Sequence, residues 1–404
     1  MEINIPGSKS IAARCLVCRL LSGHDTVITN LPDCDDTRGM LRLTESVRAA
    51  VRDGSRDIRV DIGEGGTTLR FGMAACASLP GLAVTLQGSP RLMERPHTIL
   101  VRALQDLGAD IRMLSENNAV AIVGRQLRGG TVDIPGDVSS QYLSALMLSA
   151  PVWRDDSLFR ISAPLVSAPY IYMTAGVMRA FGAYVECRET EAGMEVRVRN
   201  TGYAQCARYD VEGDWSGASY FFETRLILEA AGMPVPELQM PSLRSPAESL
   251  QGDSRVAAIF ADAGRRLRSG DRSQMRLTLT DTPDLVPAVA VGLCLSGIPF
   301  RIDGVEHLHH KECDRMTAIA SELRKLGFPI LASGDVMEWR GDRSGREENP
   351  HILTYGDHRM AMAFAPASIM AGNMTIENPG VTAKSFPGFW REIGKMGVMN
   401  NEVD

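Results

Sequence analysis

Lys311-Glu312-Cys313-Asp314-Arg315 places two cations and two carboxylates within five consecutive residues. Such a run can grip an anion and move a proton. Asp357-His358-Arg359-Met360-Ala361-Met362 opens a second apolar stretch with a charged triplet. A solvated surface patch would explain either run, and surface ion pairs contribute little. Arg315 and Arg359, however, stand where apolar helices should begin. Asp284, in Asp281-Thr282-Pro283-Asp284-Leu285-Val286-Pro287, precedes an almost wholly apolar helix. It either caps that helix or is a half-buried carboxylate with a raised pKa, suited to proton transfer.

Lysine usage sharpens the list. Among 43 Lys plus Arg only Lys9, Lys311, Lys325, Lys384 and Lys395 are lysines, so arginine is the default cation here. Lys9, Lys311 and Lys384 sit in polar segments flanked by glycine or acid, where a compact ammonium suits phosphate or carboxylate. Lys325 and Lys395 fall late in helices and suit the negative helix end. Small-residue clusters precede helical runs at Gly7-Ser8-Lys9-Ser10, Gly63-Glu64-Gly65-Gly66-Thr67-Thr68, Gly136-Asp137-Val138-Ser139-Ser140 and Gly213-Asp214-Trp215-Ser216-Gly217. A helix start leaves N–H donors unpaired and attracts anions, although ordinary capping accounts for any single cluster. Cations in or near them, Lys9, Arg14, Arg70 and Arg91, favour the anion reading. His307 and His309 would share a strand face with His310 beside them, but no further ligand is placed, so no metal is expected. Cys15 and Cys18 form a lone pair in an apolar helical run and are expected to be core packing.

These groups need elements to hold them. One unit recurs: a helical segment closed by glycine, then a short β-rich run. It appears at Leu100–Leu107 with Gly108, Met173–Phe181 with Gly182, Ile227–Ala231 with Gly232, Ile319–Leu326 with Gly327, and Phe389–Met396 with Gly397. Glycine just past a helix supplies the left-handed residue at low cost, and the repetition implies an α/β architecture of repeated units. Ile11, Cys15 and Cys18 predict a core-facing stripe on the helix after Ser8. The helix from Gln141 should stop at Ala150, before Pro151.

The chain has 404 residues, 44% hydrophobic and 23% charged, which predicts two domains of ordinary globular composition. A net charge of −6 argues against nucleic acid as partner. The start, Met1-Glu2-Ile3-Asn4-Ile5-Pro6, has no basic, apolar leader, and Val286–Phe300 is broken by Pro and Gly and too short to span a bilayer. Eight cysteines without framework spacing suit reduced thiols. A soluble, cytoplasmic protein, without a membrane partner and monomeric, is the expectation.

Taken in order, the motifs resemble those of the 5-enolpyruvylshikimate-3-phosphate synthases of the enolpyruvyl transferase family. The likeness covers nearly the whole chain. It is carried by Pro6-Gly7-Ser8-Lys9-Ser10, the Gly88–Pro96 segment with Arg91 and Arg95-Pro96, Ser139-Ser140-Gln141-Tyr142, Val166-Ser167-Ala168-Pro169-Tyr170, the 311–315 and 357–362 runs, and Ala383-Lys384-Ser385-Phe386-Pro387. The resemblance implies an α/β fold of two similar domains, each of three β-α-β-α-β-β units of the inside-out α/β barrel type, with an interdomain active-site cleft. The domains would be residues 10–211, and 1–9 plus 212–404. It implies transfer of the enolpyruvyl group of phosphoenolpyruvate to shikimate 3-phosphate, with release of phosphate and no metal or organic cofactor.

By the same resemblance, Lys9, Ser10, Arg14, Ser139, Ser140, Ser167, Asp284 and Lys311 would hold shikimate 3-phosphate. Lys9, Gly66, Arg91, Arg315, Arg359 and Lys384 would hold phosphoenolpyruvate, with Gln141 touching both. Asp284 would take the proton of the attacking hydroxyl, and Glu312 would protonate the methylene carbon, with Lys9 a third catalytic group. Departures from the family pattern are Glu64 for the usual Asn, Ala13 before Arg14, Trp215 after Gly213-Asp214, and His307 where some members carry Asn. The rival readings are a transferase acting on a UDP-sugar and a non-catalytic metabolite-binding paralogue.

Overall fold

The five glycines that close the repeated helices, Gly108, Gly182, Gly232, Gly327 and Gly397, all hold left-handed backbone, with φ of 101°, 78°, 68°, 87° and 82°. The computed structural model describes residues 1–114, 117–137 and 139–398, with residue 310 as backbone only. Strands follow three of these glycines, at Asp110–Leu114, Val185–Thr190 and Leu331–Ser333. After Gly232 the chain instead forms a long irregular segment that meets Glu2 through a single parallel bridge at Gln239.

The chain divides into two compact units, Gly7–Glu212, and Met1–Pro6 with Gly213–Asp404. The 7–212 unit carries two complete β-α-β-α-β-β repeats. In one, strands Asp57–Gly63 and Ala83–Gly88 pair in parallel across the helix Gly66–Ala77, and Ala119–Val123 and Asp110–Leu114 extend the sheet antiparallel. In the other, Gly130–Ile134, Ser157–Ser162, Gly193–Val198 and Val185–Thr190 repeat that order across the helices Ser140–Ser149 and Ala168–Ala180. The other unit has one complete copy, with Met275–Thr278, Phe300–Asp303, Val336–Trp339 and Leu331–Ser333 in that order around the helices Val286–Leu295 and Arg315–Lys325. Two further sheets are reduced to two-stranded parallel pairs, Val27–Thr29 with Arg208–Asp210 and His351–Ile352 with Thr375–Ile376.

The central helices inside each unit are buried on most sides because neighbouring elements cover them. In Val286–Leu295 every residue is buried, as in His358–Phe364. The predicted stripe on the first helix is buried, and burial extends beyond it. In Lys9–Ser22, Ala12, Ala13, Leu16 and Val17 are buried along with Ile11, Cys15 and Cys18. It is an internal helix packed against Asp35–Asp53, Gly66–Ala77 and Ala168–Ala180, so burial is not confined to one face. The helix read as Gln141–Ala150 runs Ser140–Ser149 and passes into a 3-10 turn over Ala150–Val152. No helix among the described residues is long and apolar enough to cross a membrane.

The passages between units rest on close backbone approach. A Cβ on Gly7 would lie 1.9 Å from the carbonyl oxygen of Asn30, and one on Gly213 would lie 2.5 Å from Ser242 Oγ. No side chain fits at Gly7 without moving backbone.

Candidate active site

In the 7–212 unit four buried helices, Lys9–Ser22, Gly66–Ala77, Ser140–Ser149 and Ala168–Ala180, are joined near their N-terminal ends by side-chain bonds. Arg14, 2% exposed, ties three of them. Its Nη1 donates to the Ser10 carbonyl at 2.7 Å, its Nε to Thr174 Oγ1 at 2.7 Å, and its Nη2 to Ser144 Oγ at 3.1 Å. Burial lowers its pKa to about 10, which still leaves it charged at neutral pH. The fourth helix joins through Arg70, whose Nη1 donates to Gln141 Oε1 and whose guanidinium lies over the Tyr142 ring, 5.3 Å from its centroid. Gly66 opens that helix beneath two guanidiniums: a Cβ there would meet Arg95 Nη1 at 2.8 Å and Arg70 Nη1 at 3.2 Å. Ser139 Oγ accepts from the Gln141 N–H at 3.4 Å, Ser140 begins the helix, and Ser167 precedes Ala168–Ala180 in left-handed backbone, φ 61°. Lys9 Nζ lies 2.7 Å from Asp36 Oδ2. Arg91 is exposed on the short helix Pro90–Glu94. The result is a set of helix starts, hydroxyls and guanidiniums suited to a phosphate or carboxylate.

In the other unit the charged runs converge on one side chain. Arg315, at 1% side-chain exposure, donates through Nε to Asp357 Oδ2 at 2.7 Å, through Nη1 to Asp284 Oδ1 at 3.0 Å, and through Nη2 to Glu312 Oε2 at 2.7 Å. Arg359 Nη2 donates to the other oxygen of Asp284 at 2.7 Å, and Lys384 Nζ lies 4.0 Å from Glu312 Oε1. Local helix chemistry builds the cluster. Asp314 caps Arg315–Lys325 by accepting from the Thr317 N–H at 3.1 Å, and Asp357 caps His358–Phe364 by accepting from the Arg359 N–H at 2.9 Å. Each cap fixes the arginine beside it. The charged-surface reading of both runs gives way to a half-buried cluster.

Its electrostatics correct the reading of Asp284. Asp284 lies in a 3-10 turn, Pro283–Leu285, that leads directly into the helix Val286–Leu295. Burial would raise its pKa, but Arg359, Arg315 and Lys311 together outweigh that and hold it well below the usual carboxylate range. The expected raised pKa is therefore absent, because cations distant in sequence close around the group. Burial would weaken the Arg315 charge, and Asp357, Glu312 and Asp284 reverse the effect. Lys311 is pulled down, first by burial and then by Arg315 and Arg359, against the opposing pull of Asp284 and Glu312. His307 falls to about 4, chiefly through burial and then Lys311, so it presents a neutral imidazole.

The match to known proteins covers the same chain. The family model described as EPSP synthase (3-phosphoshikimate 1-carboxyvinyltransferase) matches residues 1–393. The chain belongs to the EPSP synthase family. It is 37% identical to the 3-phosphoshikimate 1-carboxyvinyltransferase of Bacteroides fragilis (strain YCH46), covering 98% of this chain and 95% of that protein. To that of Haemophilus influenzae (strain KW20 / Rd) it is 34% identical, covering 98% and 96%. In fold it is similar to an EPSP synthase from Acinetobacter baumannii, with a TM-score of 0.70 at 19% identity, covering 99% of this chain and 96% of that one. It is likewise similar to the enolpyruvyl transferase NikO of Streptomyces tendae, with a TM-score of 0.66 at 15% identity, covering 99% and 95%.

For this EPSP synthase family member the structure sorts the residues singled out from sequence. Ser10, Gly66, Ser139, Ser140, Gln141 and Ser167 mark the helix starts of the 7–212 unit, and Arg14 bonds Ser10 from the next turn. Asp284, Lys311, Glu312, Arg315, Arg359 and Lys384 form the charged cluster of the other. His309 bonds Asp314, with Nδ1 to Oδ1 at 2.8 Å, and the His310 side chain lies outside the described residues. Among the described residues no group of three or more His, Cys, Asp or Glu could hold a metal ion. Cys15 and Cys18 are buried packing. Lys325 and Lys395 close their helices, each reaching back to a glutamate, Glu322 at 2.7 Å and Glu392 at 2.5 Å. Glu64 sits exposed in the turn before Gly66–Ala77, and Trp215 is 4% exposed, its N–H bonded to Gln251 Oε1 at 3.0 Å. Sequence reasoning passed over Arg95 as a neighbour of Gly66, and the buried Asp253. The run Gln251-Gly252-Asp253 ahead of an apolar helix is the signal that could have drawn attention to the latter.

Proposed function

We infer that this chain transfers the carboxyvinyl group of phosphoenolpyruvate to shikimate 3-phosphate and releases inorganic phosphate. The observation that supports it most is the single buried guanidinium of Arg315 bonded at once to Asp284, Glu312 and Asp357. Around it stand Lys311, Arg359 and Lys384, so four cations face three carboxylates. An incoming polyanion completes the charge balance, and the two groups needed for proton transfer already flank the cations that receive it.

The chemistry follows from these contacts. The substrate hydroxyl oxygen attacks C2 of phosphoenolpyruvate while its proton passes to Asp284. Glu312, which enters the cycle in its protonated form, donates that proton to the methylene carbon, making C2 electrophilic, and a tetrahedral adduct forms. Collapse breaks the C2–O bond to phosphate, which leaves with the proton held by Asp284, and the new methyl group returns its proton to Glu312, restoring the double bond. Free Asp284 is a weak base because Arg315 and Arg359 hold it. Anionic substrate that engages those guanidiniums relaxes their grip, so Asp284 gains basicity once substrate is present.

In the 7–212 unit we assign Lys9, Ser10, Ser139, Ser140, Gln141 and Ser167 to shikimate 3-phosphate, and Lys9, Gly66, Arg91 and Gln141 to phosphoenolpyruvate. Arg14 keeps Ser10 in place, since its donors are committed within the unit. In the other unit Lys311 and Asp284 go to shikimate 3-phosphate, and Arg315, Arg359 and Lys384 to phosphoenolpyruvate. A steady-state assay of phosphate release with both substrates tests the reading. Pure, folded protein that shows no turnover would refute it.

A further inference from the structure

Asp253 is a buried acid outside the set assigned above. It opens the turn Gly252–Arg255 that leads into the helix Val256–Ser269, and it is 4% exposed. Its Oδ2 accepts from Ser216 Oγ, which belongs to the first turn of Trp215–Ala230. The preceding Gln251 locks the same corner: its Oε1 accepts from the Trp215 N–H at 3.0 Å, and its Nε2 donates to the Gly213 carbonyl at 2.8 Å. The carboxyl is therefore fixed where two helices begin. The charged groups that face it are Asp284, ahead of Val286–Leu295, Arg359, in the first turn of His358–Phe364, and Asp214, which caps Trp215–Ala230. Burial, followed by the Asp284 charge, lifts its pKa to about 7, opposed by the Ser216 bond and Arg359.

The two carboxyls differ in surroundings. Asp284 is gripped by two guanidiniums, whereas Asp253 receives one hydroxyl and feels Asp284 as a like charge. Two acids that interact this way do not titrate independently. We propose that Asp253 is a positioning residue whose negative charge offsets the pull of Arg315 and Arg359 on Asp284, and so sets how readily Asp284 accepts the substrate proton. Ser216 controls that charge through its hydroxyl. This rests on the reaction inferred above. With Asp253 protonated, Asp284 is a weaker base; with Asp253 ionised, it is a stronger one. Turnover should therefore rise as pH increases through about 7.

The test is the pH profile of kcat, pH 5.5 to 9, for wild type, Asp253→Asn and Ser216→Ala. Asp253→Asn should lose the rise near neutrality and stay roughly three- to tenfold below wild type at pH 8, with the KM values little changed. Ser216→Ala removes a bond that favours the ionised acid, so its rise should move to higher pH. Infrared spectra over the same range, recorded for wild type and Asp253→Asn each in the Glu223→Gln background, should show a protonated carboxyl band that disappears near pH 7 with Asp253 present and is absent from Asp253→Asn. If Asp253→Asn does not fold, Ser216→Ala and the infrared titration with Asp253 present still decide. An unmoved profile in the folded variants, or no carboxyl titrating near neutrality, overturns the proposal. Wild type inactive on both substrates would instead refute the inferred reaction, while the infrared titration still reports on Asp253.

Discussion

Glu223 gives the sharpest test of the physics in the core. It lies on Trp215–Ala230, is 0% exposed, and neither carboxyl oxygen has a hydrogen-bond partner among the described residues. Gly292 and Phe260 pack beside it, and a Cβ added to Gly292 would meet Glu223 Cγ at 3.0 Å. Burial without a partner pushes its pKa well above the ordinary value. The folded protein therefore keeps a proton that the unfolded chain gives up above about pH 4.3. Because the native state binds more protons, stability falls as pH rises, by about 1.4 kcal/mol per unit while the folded group stays protonated. Glu223→Gln removes the titration and keeps the shape. Relative to that variant, wild type should lose stability as pH rises from 5 to 7, by up to about 1.4 kcal/mol per unit. Urea unfolding followed by tryptophan emission at pH 5, 6 and 7 reads this, since Trp215, Trp339 and Trp390 report on the unit that holds Glu223. Parallel stability curves for the two proteins would refute the reasoning.

Glu312→Gln should slow turnover by about 10²-fold or more with substrate KM values nearly unchanged, as loss of a proton donor does; equal rates would place the proton source elsewhere. Lys384→Ala should mainly raise the KM for phosphoenolpyruvate, and steady-state kinetics with normal KM and normal kcat would contradict its assignment. Arg315→Ala leaves Asp284, Glu312 and Asp357 facing one another and should cost about 3–5 kcal/mol in urea titrations at pH 7. Acid that protonates those carboxylates should narrow the gap. Glu223→Leu should stabilise the protein at pH 7 by about 1–3 kcal/mol, read as a raised unfolding midpoint.

How much of this was legible in the sequence depends on how local each cause is. A glycine after a helix speaks for its own backbone, so the repeated closures could be read directly, and so could the stop near Pro151. Capping is equally local: Asp214, Asp314 and Asp357 each accept from an N–H two or three residues on. Asp284 could not be read this way, because its charge state is decided by Arg315 and Arg359, 31 and 75 positions distant. The first helix shows the same limit. Its Ile11, Cys15 and Cys18 form a true stripe, but Ala and Val between them are small enough for neighbouring helices to cover the remaining faces. Arg95 beside Gly66 and Asp253 beside Ser216 arise from packing alone.

Met1–Pro6 is built into the same unit as Gly213–Asp404, distant in sequence. Ile3 and Ile5 are buried with the 213–404 core, the Ile3 N–H bonds the Gln239 carbonyl at 2.9 Å, and Asn4 N–H reaches Glu392 at 3.0 Å. A ribosome delivers Ile3 hundreds of residues before its neighbours exist. Residues 7–212 can thus settle early, while Ile3 and Ile5 wait for the core formed by residues 213–404. Completion of that unit consequently follows the 7–212 unit in synthesis, and a chain arrested before Gly213 would leave Ile3 and Ile5 without their core.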